Sequence, residues 1–269
     1  MKKLLALLLS TSMVLALTVT GCGKNSETDT NSSDEKITYA VEAGSAGEEI
    51  AKEKGYTCNS VSSQADALME VAAGTSDAAI IDLLMAGAMI GEGTSYPNLT
   101  YTEELTEEEY GVGCRKGSDL ASYINAALFQ AYADGTMEEL ADKYSISEDV
   151  LLEQPESIYT ASESDSDVAY IKNKGKLVVG ITEFAPMDYK GDDDEWIGFD
   201  ADLARYVADK LGVEVEFTVI VDWDNKVMEL DAKNVDVVWN GMTLTTAVLA
   251  SMECSNAYCK NAQVVVVSE

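Results

Sequence analysis

The sequence predicts an α/β fold with two lobes and a central cleft. One pattern, a helical run followed by a tight turn and an Asp-led apolar strand, occupies residues 65–82 and again residues 224–241. Met69 and Met228 each stand eight positions before that Asp, so the two copies align without a gap. Each copy has the periodicity of a short helix followed by a buried strand. Two copies in 269 residues predict two related lobes, and we expect a ligand in the cleft between them.

Composition supports a folded protein and excludes several kinds of function. The hydrophobic fraction of 46% is ordinary for a folded chain. The net charge of −30 argues against a nucleic-acid partner, because nucleic-acid phosphates require clustered Lys and Arg. Histidine is absent, which removes Ser-His-Asp and Cys-His catalysis and leaves His-bearing zinc sites unsupported. We expect no cofactor and no metal, since the acidic loop 192–195 lacks the ligand spacing of a calcium loop.

The first 22 residues have the pattern of a bacterial lipoprotein signal peptide. Lys2 and Lys3 precede an apolar run from Leu4 to Leu17, and small residues lead to Cys22. We expect cleavage before Cys22 and lipidation of its thiol, followed by a flexible polar tether over residues 23–36. A transmembrane helix is the alternative, but the apolar run is shorter than the roughly 20 residues that a span needs.

Four further cysteines show no Cys-x-x-Cys spacing, which leaves a redox pair or a zinc knuckle unsupported. They lie at positions 58, 114, 254 and 259. We expect small buried thiols, with a Cys254–Cys259 bridge as the alternative.

Strands and helices alternate in two blocks, as expected for α/β lobes. The first block begins with a strand at 37–41 and a Gly-rich turn at 44–47 that opens a helix, whose free N–H groups favour an anion. By itself the turn is a weak signal, because an ordinary helix cap is its more frequent explanation. An acidic linker over residues 146–171 precedes the second block. That block contains strands at 176–181, 213–219 and 263–267 and a helix at 200–211.

Several motifs together resemble a known family. In the second block they are Phe184–Tyr189, Gly198–Ala204, Asp222–Asp224, Trp239–Thr245 and Tyr258–Gln263. In the first block they are Val41–Gly47, Asp77–Asp82, Glu109–Gly113 and Ala133–Thr136. The chain resembles the family 3 extracellular solute-binding proteins, which are polar amino-acid receptors of ABC importers. The resemblance implies a two-lobed type II periplasmic-binding-protein fold.

The two blocks stand in reverse order relative to that family, so the resemblance implies a circular permutation. Residues 37–108 match the family's second lobe, and residues 109–145 match the hinge return and the C-terminal helices that pack on the first lobe. Residues 172–269 match the first lobe. Permutation is tolerated because domain termini often lie close together. We expect it to cut the usual two crossing strands to one, near 101–110, and so to loosen closure. A degraded gene is the alternative.

The resemblance also implies a ligand site. Asp82 would hold an α-ammonium group at the carboxyl edge of a strand, where ligands of open α/β sheets bind; a helix-capping role is its alternative. Ser45 and the N–H groups around Ala46 and Gly47 would meet a carboxylate. From the other lobe the resemblance implies Asn240, Gly241 and Thr243 beside the ligand, with Phe184 and Trp239 stacking on its side chain. Either aromatic ring is equally compatible with a core position.

One departure from the family concerns the ligand's carboxylate. The family places an arginine five residues after the Thr of its Gly-Met-Thr motif, where this chain has Val248. Loss of a charge-assisted pair removes about 1.5–3 kcal/mol, which weakens amino-acid binding by one to two orders of magnitude. Lys260 and Arg115 are candidate substitutes. The departure makes a cationic amine a credible ligand.

We therefore expect a monomeric, lipid-anchored, extracytoplasmic receptor that captures an amino acid or related small solute and delivers it to an ABC permease and its ATPase. It would not be an enzyme. The alternatives are a dehydratase-like offshoot of the family, which needs a second acid near Asp82 with Glu183 as its nominee, and a ligand-sensing interaction module.

Overall fold

The computed structural model describes residues 36–161 and 166–269, and residues 36–269 form one compact unit. The predictions for the signal peptide, Cys22 and the tether as far as residue 35 lie outside the described residues. Across the described ranges, we find no helix with the length and apolar character that a membrane span requires.

The first half of the chain alternates strands and helices as predicted. Its elements are β1 (Thr38–Glu42), α1 (Ala46–Glu53), β2 (Thr57–Val61), α2 (Gln64–Ala73), β3 (Ala78–Asp82), α3 (Leu83–Met89), β4 (Leu99–Glu104), β5 (Glu108–Tyr110), β6 (Gly113–Cys114), α4 (Leu120–Ala133) and α5 (Thr136–Lys143). Ser45 and Ser63 cap the first two helices, because each hydroxyl accepts a backbone N–H three residues on.

The second half repeats this alternation. Its elements are α6 (Asp167–Lys174), β7 (Lys176–Ile181), β8 (Tyr189–Lys190), β9 (Trp196–Ile197), α7 (Phe199–Leu211), β10 (Glu214–Val219), α8 (Lys226–Asp231), β11 (Val237–Val238), α9 (Thr246–Ser251), β12 (Glu253–Cys254), β13 (Cys259–Asn261) and β14 (Gln263–Ser268). Two short 3₁₀ turns lie at Glu148–Val150 and Trp223–Asn225.

Two five-stranded sheets form two lobes with the same plan. Lobe A has the strand order β2-β1-β3-β14-β4, and lobe B has the order β10-β7-β11-β6-β12. In both lobes three parallel strands are followed by a fourth strand that is antiparallel to the third and a fifth that is antiparallel to the fourth. The repeat copies occupy matching places, as α2–β3 in lobe A and α8–β11 in lobe B. The predicted two-lobed α/β fold is therefore confirmed.

The repeated Asp has the same backbone role in both lobes. Asp77 exchanges hydrogen bonds with Thr38 at the start of β1, with its carboxylate accepting the Thr38 N–H at 2.8 Å. Asp236 does the same for Val178 in β7, at 2.7 Å. Their environments differ, because Asp77 is exposed whereas Asp236 is fully buried. The repeated Asp therefore aligns two neighbouring strands in each lobe, although only the copy in lobe B is buried.

Within residues 36–161 and 166–269, the chain passes between the lobes twice. One connection runs from β4 through β5 to β6, and the other runs from β12 through β13 to β14. The two connections pair antiparallel, with Cys259 opposite Tyr110 and Asn261 opposite Glu108. The expectation of a single crossing strand is therefore wrong, because the apolar run after Asn261 continues into lobe A and is buried between β3 and β4. Two crossing strands remove the reason to expect a looser closure.

Part of the expected linker 146–171 has regular structure. The Leu152 N–H donates to the Tyr258 carbonyl at 3.0 Å, which fixes this segment beside β13. Helix α6 begins at Asp167 because the Ser166 hydroxyl caps it, and its residues Val168 and Ile171 are buried. In the described part of the chain, the cysteines at 58, 114, 254 and 259 are unpaired thiols.

Candidate functional site

The carboxyl ends of neighbouring parallel strands form one wall of a closed cleft. Strands β1 and β3 end at Glu42 and Asp82, and lobe B faces them with the residues that follow β11. A cavity of about 20 Å³ separates the lobes, which is room for about one water molecule. It is lined by Glu42, Ser45, Ala46, Gln64, Asp82, Trp223, Asn240, Gly241, Met242 and Thr243. The lobes are therefore in contact around a small polar space.

Asp82 is buried at the centre of a hydrogen-bond network. Its Oδ1 accepts from the Tyr110 hydroxyl at 2.7 Å, from the Gln263 amide at 3.0 Å and from the Asn261 amide. Its Oδ2 accepts from Gln64, whose Oε1 in turn accepts the Asp82 N–H at 2.8 Å. Asp82 precedes α3 without a side-chain capping bond, so its carboxylate faces the cleft network and not the helix.

The hinge supplies most of the groups that hold Asp82. Tyr110 lies in β5, and Asn261 and Gln263 lie in and next to β13. Burial and the nearby Glu108 carboxylate raise the Asp82 pKa to about 7, and the hydrogen bonds offset only part of that rise. A positive ligand group would stabilise the ionised form of Asp82 at this position.

Glu42 is a second cleft acid that the sequence analysis did not single out. It is 3% exposed, and its Oε1 has no hydrogen-bond partner within the described residues. Burial and the Asp82 carboxylate raise the Glu42 pKa to about 8, partly offset by Lys226 and by hydrogen bonds from Gln64 and Thr182. A sequence signal existed, because Glu42 directly follows the predicted strand at 37–41, and Asp82 ends the predicted strand of the first repeat copy. The nominated second acid, Glu183, is instead exposed.

The N-terminus of α1 meets the cleft at Ser45 and Ala46. Two backbone N–H groups at this helix end, which could otherwise bind an anion, already donate to side chains of the protein. The Gly44 N–H donates to the Glu48 carboxylate at 3.0 Å, and the Glu48 N–H donates to the Ser45 hydroxyl at 3.1 Å. Gly47 packs inward, and a Cβ there would lie 2.9 Å from Gln263 Oε1. The absence of a side chain at Gly47 therefore allows α1 to pack closely against the sheet.

Lobe B presents Asn240, Gly241 and Thr243 to the cleft, and neighbouring groups hold each of them. Asn240 exchanges hydrogen bonds with Thr182 at 2.7 and 2.9 Å. The Gly241 N–H donates to Asp200 at 2.6 Å, and a Cβ at Gly241 would lie 2.4 Å from the Phe184 ring. The Thr243 hydroxyl donates to Glu108 at 2.9 Å, which joins lobe B to the hinge.

The two predicted aromatic partners are core residues. Phe184 lies behind Gly241 and makes an edge contact with Tyr110, with ring centroids 6.3 Å apart. Trp239 is fully buried beside Tyr258. The aromatic residue in the cavity lining is Trp223, which was not among the predicted site residues.

Val248 and the candidate cations lie in different places. Val248 is buried in an apolar cluster of lobe B with residues including Trp223 and Met242. Arg115 is buried in lobe B, where it pairs with Asp167 at 2.9 Å. Lys260 is exposed on the hinge beside a larger open cavity of about 890 Å³. Neither candidate substitute reaches the cleft cavity.

Lys226 is the cation that the structure places beside the cleft. Its Nζ donates to the Gly44 carbonyl of lobe A at 2.8 Å and to the Trp223 carbonyl at 3.2 Å. Burial lowers the Lys226 pKa, while Asp224 and Glu42 act in the opposite direction. Lys226 therefore links the two lobes directly.

A buried carboxyl pair supports the lobe B wall. Asp200 accepts from Gly241 and from the Tyr258 hydroxyl at 2.8 Å. Beside it, both carboxyl oxygens of Asp188 lack a hydrogen-bond partner among the described residues. Burial and the Asp200 charge raise the Asp188 pKa well above its usual value, so folding favours the protonated form of this acid.

Replacing Asp188 with asparagine is expected to stabilise the protein by about 1–2 kcal/mol at pH 7, because no buried acid must then stay protonated. The raised pKa means that wild-type stability falls as the pH rises above about 4, the usual pKa of an Asp. The gain should therefore vanish near pH 4. Urea denaturation at both pH values measures it, with exposed Asp192→Asn as the control. Equal or lower stability of Asp188→Asn at pH 7 would contradict this explanation.

Comparison with known proteins finds relatives of the second block. Residues 177–269 match the model of the bacterial extracellular solute-binding proteins, family 3. The L-cystine-binding protein TcyJ of Escherichia coli K12 is 36% identical over 76 residues, 28% of each chain. The arginine-binding extracellular protein ArtP of Bacillus subtilis 168 is 35% identical over 86 residues, which are 32% of this chain and 33% of ArtP. The segment 177–269 is therefore similar in sequence to the family 3 proteins.

Solved structures match a similar share of the chain. A substrate-binding protein of an ABC uptake transporter from Streptococcus pneumoniae, with bound histidine, is 32% identical over 35% of this chain and 38% of its own, with a TM-score of 0.33. An ancestral cyclohexadienyl dehydratase is 32% identical over 33% of this chain and 37% of its own, with a TM-score of 0.31. The chain spans about a third or less of the curated relatives that it matches.

Proposed function

We propose that the protein is the substrate-binding component of an ABC importer and captures an amino acid or a related small polar solute by lobe closure. The observation that carries the proposal is the position of Asp82, which lies between two lobes of matching plan and is held by the strands that connect them. Any change in the angle between the lobes acts on those strands. Solute binding at Asp82 would thus be coupled to closure.

We further propose that the chain is a circular permutation of the family 3 fold. The family match of residues 177–269 supports this order, because the motifs of residues 37–145 that resemble the rest of the family precede it. The paired β5 and β13 also support it, since both hinge connections are retained. The site residues Asp82, Ser45, Ala46, Asn240, Gly241 and Thr243 remain our proposed ligand contacts, with Gly47, Phe184 and Trp239 acting behind them.

Location and partners follow from the same proposal. The family's extracellular role and the lipoprotein-type signal peptide that leads to Cys22 support an extracytoplasmic protein that is anchored through lipid on Cys22. A permease and its ATPase would receive the closed complex. We propose that the receptor acts as a monomer.

A thermal-shift screen of the full chain in detergent tests the proposal. The panel contains the natural amino acids, simple amines, polyamines and small carboxylic acids. A solute at a hundred times its dissociation constant should stabilise the native state by about 2.7 kcal/mol, which is a measurable rise in melting temperature. No shift with any member of the panel would contradict a receptor for small polar solutes.

An enzyme is the second candidate, and Glu42 is the observation that favours it. Glu42 and Asp82 are two buried cleft acids whose pKa values are raised to about 8 and about 7, the range that acid–base catalysis uses. A dehydratase acting on a small cyclic acid would need such a pair. The acidic cleft disfavours acidic substrates, so the binding role is preferred. Turnover of a cyclic acid by the wild type, lost in Glu42→Gln, would favour the enzyme.

A further inference from the structure

The charges around the cleft do not suit a free amino acid. Three carboxyl groups, those of Glu42, Asp82 and Glu108, surround the cavity or bond to residues that line it. The opposing cation is Lys226, and its Nζ already donates to two backbone carbonyls. A ligand carboxylate would enter an acidic site in which the available cation is committed to holding the lobes together.

The usual alternative for a carboxylate, a helix N-terminus, is also engaged. Glu48 places its own carboxylate at the start of α1, where it accepts the Gly44 N–H and the Ser60 hydroxyl. Those hydrogen bonds and Lys52 lower the Glu48 pKa despite the cost of burial, so this acid is ionised at neutral pH. A second anion at the same helix end would meet that charge.

Glu42 provides the positive indication. Its Oε1 is buried beside the cavity and has no hydrogen-bond partner in residues 36–161 or 166–269. Between Glu42 and Asp82 lies the Gln64 side chain, whose amide nitrogen donates to Asp82 Oδ2. The neutral Gln64 amide thus donates at a place where a ligand's ammonium group could donate with a positive charge. Two acids with one neutral amide between them form a site that suits a cation.

We propose that the cleft selects an organic amine that carries positive charge and no carboxylate, with Glu42 and Asp82 sharing its ammonium group and Glu42 determining the specificity. This inference rests on the proposed receptor function and names its ligand class. Gln64 would rotate away when the ammonium enters, since its amide nitrogen now donates to the Asp82 Oδ2 that the ammonium would take as acceptor.

Two pairs of compounds that differ only in a carboxylate test the proposal. They are 1,5-diaminopentane with lysine, and agmatine with arginine. Calorimetric titration of the full chain should show the amine of each pair binding at least about tenfold more tightly, since the cleft offers no free cation for the carboxylate. Glu42→Gln should weaken amine binding about tenfold or more and leave amino-acid binding within about threefold. Glu53→Gln, an exposed change on α1, is the matched control and should alter neither.

The outcomes separate the two proposals. Tighter binding of lysine and arginine than of their amines would overturn the ligand class and leave the receptor function standing. Equal amine affinity in Glu42→Gln, with the variant's melting temperature unchanged, would overturn the role of Glu42. Failure of all four compounds would overturn the amine proposal, and the receptor proposal would fail as well only if the whole solute panel were also silent.

Discussion

Replacing Asp82 with asparagine is expected to weaken solute binding by about 100-fold or more. Hydrogen bonds to charged groups contribute about 1.5–3 kcal/mol each, and a ligand cation would lose both the charge and an acceptor. Asparagine also turns an N–H group towards donors, because Asp82 now accepts from Gln64, Tyr110 and Asn261. The site would therefore rearrange as well as lose its anion.

The measurement is calorimetric titration with the solute that gives the largest thermal shift. Asp77→Asn is a matched control, since Asp77 precedes the same strand at its opposite end and is exposed. It should bind like the wild type. Wild-type affinity in Asp82→Asn would place the ligand elsewhere and remove the central residue of the site.

The largest effect on stability is expected from Asp236→Asn, at about 3–5 kcal/mol. Asp236 is fully buried, accepts from Lys174 at 2.6 Å and lies 3.7 Å from Arg115. Removing its charge leaves two cations in or near the core with less compensation, although Arg115 keeps its pair with Asp167. The asparagine oxygen can still accept the Val178 N–H. The loss of stability therefore measures the contribution of the Asp236 charge and not that of the strand alignment.

The equivalent change in the other repeat copy provides the comparison. Asp77→Asn alters the same backbone contact in lobe A at an exposed position and should cost under about 1 kcal/mol. Urea denaturation of both variants, followed by far-ultraviolet circular dichroism, measures the difference. Similar losses in the two variants would show that the buried ion pairs of Asp236 contribute little.

The internal repeat carried most of the fold prediction. Because the repeat contains both a helix period and the Asp that aligns two neighbouring strands, it determined which elements match between the lobes. The second crossing strand was missed because residues 255–262 are short and irregular in pattern, and their pairing with β5 joins positions about 150 residues apart in the sequence. Local periodicity carries no information on such a contact.

The site was predictable where a side chain ends a strand. Asp82 follows directly from that rule, and the same rule applied to Glu42 would have found the second acid. The strand-end rule could not predict Lys226 and Gln64, because each lies in the first turn of a helix and reaches the cleft through tertiary packing. For Phe184 and Trp239 the sequence left core and ligand positions equally open, and burial of both rings places them in the core.

The position of the bound solute in a co-crystal structure tests the central claim most directly. The account predicts that the solute lies between the lobes, with its positive group within about 3 Å of the Asp82 carboxylate, and with Thr243 and Asn240 on its other side. A solute bound in the open cavity beside Lys260, or anywhere else without contact to Asp82, would contradict the account.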